Sequence, residues 1–273
     1  MRMHDSRYKT RRRAVSSVAL GFVLSFALAK GVNAQQRSSS SNHGGSDELS
    51  KLIPPLQETG FDPIFDGKTL NGWDCDPDFW RVDEGAIVGE TTLSHQPKQN
   101  TFCIWKGGQP ANFDLKLQYR LTGVNDGNSG IQYRSVERPD VAKWVLQGYQ
   151  ADIDLAQVYT GQIYEERARA FVSLRGQLAY IATGQKAAAI GSVGDNEQLK
   201  SFIHADGWND VEIIARGNIL IQLWNGHVMS ELIDDDTSGR KMEGEIGIQV
   251  HRLPKAAMKI ETRNIRLKTF PAQ

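Results

Sequence analysis

The stretch Ile219–Ile233, I-L-I-Q-L-W-N-G-H-V-M-S-E-L-I, decides the fold class. Two alternating runs flank Asn225-Gly226, a pair suited to the left-handed backbone of a tight hairpin turn. The same chemistry recurs on both sides: D-G at Asp66-Gly67, N-G at Asn71-Gly72 and G-N at Gly217-Asn218. Between such turns lie short segments that read as strands. Among them are F-W-R-V-D-E-G-A-I-V-G, N-T-F-C-I-W-K, F-D-L-K-L-Q-Y-R-L, N-S-G-I-Q-Y-R-S, G-Y-Q-A-D-I-D, W-N-D-V-E-I-I-A-R, G-E-I-G-I-Q-V and M-K-I-E-T-R-N-I-R-L-K. No long stretch keeps a helical period. The block from 61 to 270 therefore reads as one all-β domain, a two-sheet β-sandwich or jelly roll.

The residues before it differ in kind. Arg11-Arg12-Arg13 precede an apolar run from Ala14 to Ala29, then V-N-A ending at Ala34. That order predicts a secretory signal peptide over 1–34 and an exported, periplasmic or secreted protein. The apolar run is short of the ~20 residues of a membrane span, so no stable membrane insertion is expected after cleavage; an uncleaved anchor is the alternative. A polar tether follows over 35–60, with a possible short helix within Asp47–Gln57 that Pro54-Pro55 halts. Of 32 basic and 32 acidic side chains, seven basic and one acidic fall in 1–34. The remainder carries 25 and 31, a net charge of −6. No basic patch is left to hold nucleic acid.

Cys75 and Cys103 could form one disulfide in an oxidising compartment, or be two small buried hydrophobes. D-C-D-P-D, Asp74–Asp78, opens like a calcium loop. It has Phe79 where the turn needs glycine and Gly85 where the bidentate glutamate belongs, so it reads as a polar turn. D-D-D-T, Asp234–Thr237, reads as a solvated hairpin end. The histidines show no metal-binding spacing, and there is no glycine-rich nucleotide loop, so no cofactor is expected.

Side chains alternate across a sheet, so parity sorts them into faces. Ile131 and Tyr133 read as core, with Gln132 and Arg134 opposite. Tyr149, Ala151 and Ile153 share one side, and Gln150, Asp152 and Asp154 the other. Ile248 and Val250 point inward, leaving Gln249 and His251 outward; Lys106 shares a face with Ile104. Amides, carboxylates and arginine suit recognition of vicinal hydroxyls. An antiparallel sheet also shows water a polar face with no function attached.

The order of segments carries a resemblance. F-D-G-K-T-L-N-G-W, N-S-G-I-Q-Y-R-S, G-Y-Q-A-D-I-D, G-Q-I-Y-E-E, W-N-D-V-E-I with L-W-N-G-H, and G-E-I-G-I-Q-V-H ending in T-R-N-I-R-L-K resemble the 3-keto-disaccharide hydrolase family, also known as domain of unknown function 1080. The resemblance implies a concanavalin A-like jelly-roll β-sandwich of two antiparallel sheets, with a carbohydrate, a 3-keto-glycoside, as substrate. A C3 ketone acidifies the C2 proton, so a base can remove it. The C1 oxygen then leaves by elimination, and water adds to the enone. Such a route needs a base, an acid and stabilisation of the enolate oxygen.

On this resemblance, Asp152 or Glu165 is the base, with the other, or Glu166, as the acid. Arg134 and His251 would stabilise the carbonyl or enolate. Lys106, Gln132, Gln150 and Gln249 would hold hydroxyl groups, as would Glu166 if it is not the acid. The bland readings are a solvated strand carboxylate for Asp152, local pairing to Arg167 and Arg169 for Glu165 and Glu166, and a partly buried imidazole for His251. Many family members read roughly G-Y-E-V-Q-I where this chain has G-Y-Q-A-D-I, so its carboxylate stands two residues further along the same face. That departure keeps open a non-catalytic lectin-like module. A conventional two-carboxylate glycosidase, with carboxyls ~5 Å or ~6.5–9.5 Å apart, is the other rival.

Overall fold

The computed structural model describes residues 59–271. The signal peptide expected over 1–34 and the helix expected within Asp47–Gln57 lie outside the described residues. Seventeen strands and one short helix make up the described chain. They are β1 (Asp62–Pro63), β2 (Trp73–Asp74), β3 (Trp80–Asp83), β4 (Ala86–Glu90), β5 (Thr101–Trp105), β6 (Asn112–Val124), β7 (Asn128–Glu137), β8 (Leu146–Asp154) and β9 (Ile163–Glu166). Then come β10 (Ala170–Ser173), β11 (Gln177–Ile181), β12 (Ala188–Ser192), α1 (Asn196–Lys200), β13 (Asn209–Arg216), β14 (Ile219–Trp224), β15 (His227–Asp234), β16 (Glu245–Val250) and β17 (Ala257–Phe270).

The strands form two sheets. The ten-stranded sheet runs β12-β11-β15-β14-β13-β6-β17-β4-β3, with β1 on β17; the seven-stranded sheet runs β10-β9-β8-β7-β16-β5-β2. All pairs are antiparallel except β11–β15. This is a jelly-roll sandwich. The Ile219–Ile233 hairpin is β14–β15, and Asn225 and Gly226 take φ +49° and +81°, as the turn requires. The strands β1, β2 and β9 to β12 were not read from the sequence.

Parity holds where the core is concerned. Phe113, Leu115, Ile213 and Trp224 of the larger sheet are buried, as are Ile131, Tyr133, Tyr149 and Ile153 of the smaller. Each such side chain contributes about 1.5–3 kcal/mol on burial. Tyr133 and Tyr149 stack with ring centroids 5.8 Å apart. Their hydroxyls reach the opposite sheet: Gln222 Nε2 donates to Tyr133 Oη at 2.9 Å, and Tyr149 Oη donates to Asp234 Oδ2 at 2.5 Å. Neither phenol is left unsatisfied.

A bulge breaks the alternation at one point. The β7–β8 register shifts between Tyr133 and Val136, and Arg134 takes φ +45°. A non-glycine residue there costs about 1 kcal/mol or more. The guanidinium turns inward and is 1 % exposed. Its Nε and Nη2 donate to Ala111 O at 2.9 and 2.6 Å, and Nη1 donates to Gly217 O at 2.7 Å. Both acceptors flank strands of the larger sheet. Arg134 therefore does not share the outward face of Gln132, as simple alternation predicts; it ties the two sheets together.

A second polar seam corrects two further expectations. Glu165 pairs with Tyr149 in register, which turns it inward rather than toward Gln150. Its Oε2 lies 2.5 Å from Arg169 Nε. Arg169 also bonds Asp234 at 2.6 Å and Asp236 at 3.3 Å. The D-D-D-T segment is thus no solvated hairpin end: Asp234 and Asp236 are buried because they neutralise this arginine.

Cys75 and Cys103 form a disulfide across a sequence separation of 28, joining the chain after β2 to β5. Closing a loop of that length stabilises by about 3–4 kcal/mol on chain-entropy grounds. The D-C-D-P-D segment is a polar turn, with Phe79 and Trp80 N–H groups donating to Asp76 O.

Arg134→Ala is expected to cost about 3–5 kcal/mol, since it leaves buried carbonyls without donors and removes a packed side chain. Urea unfolding measures it. Unchanged stability with lost activity would return Arg134 to the substrate's chemistry.

Candidate functional site

The outward face of the seven-stranded sheet collects the amides and carboxylates that parity assigned to it. Across β16, β7 and β8, Gly247 lies opposite Gln132, and Gln132 opposite Gln150; Gly130 lies opposite Asp152. Glycine at 130 is required by contact. A Cβ there would sit 2.4 Å from Gln150 Cδ, so the glutamine side chain lies flat over the backbone. Gln132 Nε2 donates to Gln150 Oε1 at 2.8 Å, and Gln150 Nε2 reaches Asp152 Oδ1 at 3.4 Å. Asn128 Nδ2 stands 3.5 Å from the same oxygen.

A second carboxylate enters from the far corner. Glu166 lies opposite Gly148, four residues along β8 from Asp152. Its carboxylate nevertheless accepts from Gln249 Nε2 at 3.3 Å and Asn100 Nδ2 at 3.4 Å. Contacts across three strands require the sheet to twist and coil until diagonal corners approach one another. That curvature explains why outward-facing polar groups are buried. Gln132 and Gln249 are wholly enclosed, and Gln150, Asp152 and Glu166 are each under a tenth exposed. Gln249 Oε1 has no hydrogen-bond partner.

The other end of the face is closed by apolar groups. Phe102, Ile104 and Leu146 form a cluster apart from the main core, and Leu146 covers Gly247. The loop after β7 returns over β5, where Phe102 N donates to Trp144 O at 2.9 Å. Lys106 lies beyond this plug, paired with Glu137 and, at 3.2 Å, with Glu245. It does not join the Asp152 group. The site therefore unites Gln132, Gln150, Asp152, Glu166 and Gln249, and leaves out Arg134, Glu165 and Lys106.

His251 follows β16 with the parity of Gln249. Its Nδ1 lies 3.0 Å from Arg252 O, and burial lowers its pKa. A carbonyl only accepts, so Nδ1 carries the proton and Nε2 keeps a lone pair. Burial disfavours its cation, and with Nδ1–H committed to Arg252 O the ring offers Nε2 as an acceptor, not as a donor to the carbonyl or enolate it was expected to stabilise. Asn100 was missed, although it shares parity with Phe102 in N-T-F-C-I-W-K; it bridges Glu166 to the Arg252 N–H, which donates to Asn100 Oδ1 at 3.0 Å.

Asp152 has the electrostatics of a proton-transfer group. Burial, followed by the neighbouring Asp154 charge, pushes its carboxyl up to about 7. Asp154 is itself held by the Val158, Tyr159 and Thr160 N–H groups at 2.8–2.9 Å. Burial also raises Glu166. Two carboxyls whose protonated forms burial favours thus share one face with amide donors. Among the described residues no cluster of histidine, cysteine and acidic side chains could hold a metal ion.

The sequence profile of the 3-keto-alpha-glucoside-1,2-lyase-like domain matches residues 60–268. The chain belongs to this family. A 3-keto-disaccharide hydrolase of Bacteroides thetaiotaomicron is 28% identical over 109 residues, covering 33% of this chain and 32% of that protein. The chain thus aligns with about a third of the length of that curated relative. A solved candidate glycosyl hydrolase from Parabacteroides distasonis covers 78% of this chain and 94% of its own at 16% identity and TM-score 0.50. A second from the same species gives 19% identity and TM-score 0.48, covering 77% and 99%. The first likeness agrees with the jelly-roll sandwich.

Between pH 4 and 7 the native protein keeps a proton on Asp152 that the unfolded chain has lost, so stability falls as pH rises through that window. The shift from 3.8 to about 7 caps the penalty at roughly 4 kcal/mol. Asp152→Asn removes it: thermal melts are expected to show a higher Tm than wild type at pH 8 and little difference at pH 4. An equal gain at both values would mean that the carboxyl ionises normally.

Proposed function

We propose that the domain cleaves 3-keto-glycosides by elimination followed by hydration. Asp152 takes the C2 proton. The electron pair forms the enolate, collapses to the enone and expels the C1 oxygen, which Glu166 protonates. Water then adds at C1, and the sum is hydrolysis. Each side-chain amide has two N–H groups. One each on Gln132, Gln249 and Asn100 is committed within the cluster; Asn100 alone of the three is partly exposed, and its second N–H can meet a hydroxyl or the enolate oxygen. His251 Nε2, which keeps its lone pair, would accept a proton or a hydroxyl hydrogen.

The observation that carries this reading is the buried Asp152 carboxyl, poised at about 7 and surrounded by amides. A base works best when its pKa lies near the operating pH. The carboxylate displaced by Gln150 from its usual family position is thereby supplied two residues further on. Action outside the cytoplasm is part of the proposal, supported by the leader pattern of 1–34 and by the Cys75–Cys103 disulfide.

The test uses 3-keto and unoxidised forms of the same glucoside. Aglycone release from the keto form alone, with exchange of the C2 proton into deuterated water, is the expected result. Asp152→Asn should slow it by about 10²–10⁴-fold. Cleavage of the unoxidised glycoside would replace this mechanism with a two-carboxylate glycosidase, and binding without turnover with a lectin-like module.

A further inference from the structure

The polar face does not end at the site. Gln150 lies opposite Tyr164 of β9, and Tyr164 opposite Phe171 of the edge strand β10, so the three occupy one row of the sheet. At about 4.8 Å between strands, Phe171 stands about 10 Å from Gln150. The Phe171 ring packs edge-on to Tyr164, with centroids 5.0 Å apart, and stacks on Tyr159 at 5.3 Å. Tyr159 is held there by the Asp154 loop, through its N–H at 2.9 Å from Asp154 Oδ1. The Tyr159 and Phe171 rings remain 43% and 38% exposed, an unusual state for large aromatics in contact. Phe171 also borders a recess of about 240 Å³ together with Leu174 and Ala189.

The geometry points to an aromatic subsite on Tyr159 and Phe171 for the pyranose ring joined to the reacting sugar. Exposed aromatic faces suit the apolar faces of sugars, and this pair continues a row that begins at Gln132 and Gln150. The distance fits one further ring beyond the one above Asp152. The subsite rests on the reading of the Asp152 face as a carbohydrate-cleaving site. Its consequence is a preference for disaccharides over small alkyl glycosides.

The test is arranged so that the two readings fail separately. In the full chain, Phe171→Ala and Tyr159→Ala are compared with Ile219→Ala, an equally exposed apolar truncation on the other sheet. Turnover is measured on 3-keto-maltose and 3-keto-cellobiose against the methyl 3-keto-glucosides. Loss of one stacked ring is expected to lower kcat/KM for a disaccharide by about 3- to 10-fold. The methyl glucosides and the Ile219→Ala protein should change less than twofold. Calorimetric titration of Asp152→Asn with unoxidised maltose and cellobiose, with and without Phe171→Ala, needs no turnover. Weaker disaccharide binding in the double variant supports the subsite even if wild type cleaves nothing. Equal losses on both substrate classes, no change on either, or no disaccharide binding at all would overturn it. So would a dimer in sedimentation that Phe171→Ala dissolves, because the patch would then belong to a second copy.

Discussion

A guanidinium that is 1 % exposed must find acceptors, and Arg134 finds them in carbonyls beside the opposite sheet. This fixes more than one side chain. To aim inward, the chain bulges after Tyr133, and the β7–β8 pairing resumes in a shifted register. The strand segments on either side of the bulge keep their own alternation. On one side, Tyr133 and Tyr149 stack in the core with Gln132 and Gln150 outside. On the other, β8 begins at Leu146, which plugs the apolar end of the same face. The polar site owes its boundary to the arginine that leaves it.

Enclosure then does the electrostatic work. A carboxylate at the surface of a flat sheet would ionise in the ordinary range, and amides around it would be solvated. Here coiling folds the Glu166 corner toward Gln249 and Asn100, and Asp152 loses water without gaining a cation. Its neighbours are amides and another carboxylate. Partial protonation near neutrality is the response of a buried acid that has hydrogen-bond donors but no counter-ion. The arginines that could have served as counter-ions, Arg134 and Arg169, are spent on the interior of the sandwich.

Much of this was legible in residues. The Asn225-Gly226 hairpin, the core parity of Ile131, Tyr133, Tyr149 and Ile153, and the grouping of Gln132, Gln150, Asp152 and Gln249 follow from turn chemistry and period two. Arg134 was misplaced because alternation carries no sign of a bulge. Glu165 and Glu166 are neighbours in sequence, and only the register against β8 decides which one faces out. Asn100 and Tyr164 were available by parity, yet their relevance depends on the coiling that brings distant corners together. The Asp234–Asp236 run looked solvated because its partner, Arg169, is more than sixty residues away. Short β10 and β12 are the outermost strands of their sheets and β11 lies next to β12, where pattern is weakest.

The place of β17 has a consequence for how the chain comes to be folded. The last strand of the described residues is not at an edge. It lies between β6 and β4, paired with β6 from Ala257 to Phe270 with one register shift between Arg263 and Arg266, and supplies that partner's neighbour some 145 positions later. Until residue 270 has emerged, the larger sheet is two fragments with facing unpaired edges, and the smaller sheet has nothing complete to pack on. Assembly is therefore gated by the final strand. A chain shortened by a dozen residues at that end would lose the middle of the sheet, leaving two sticky borders where a trimmed edge would leave one.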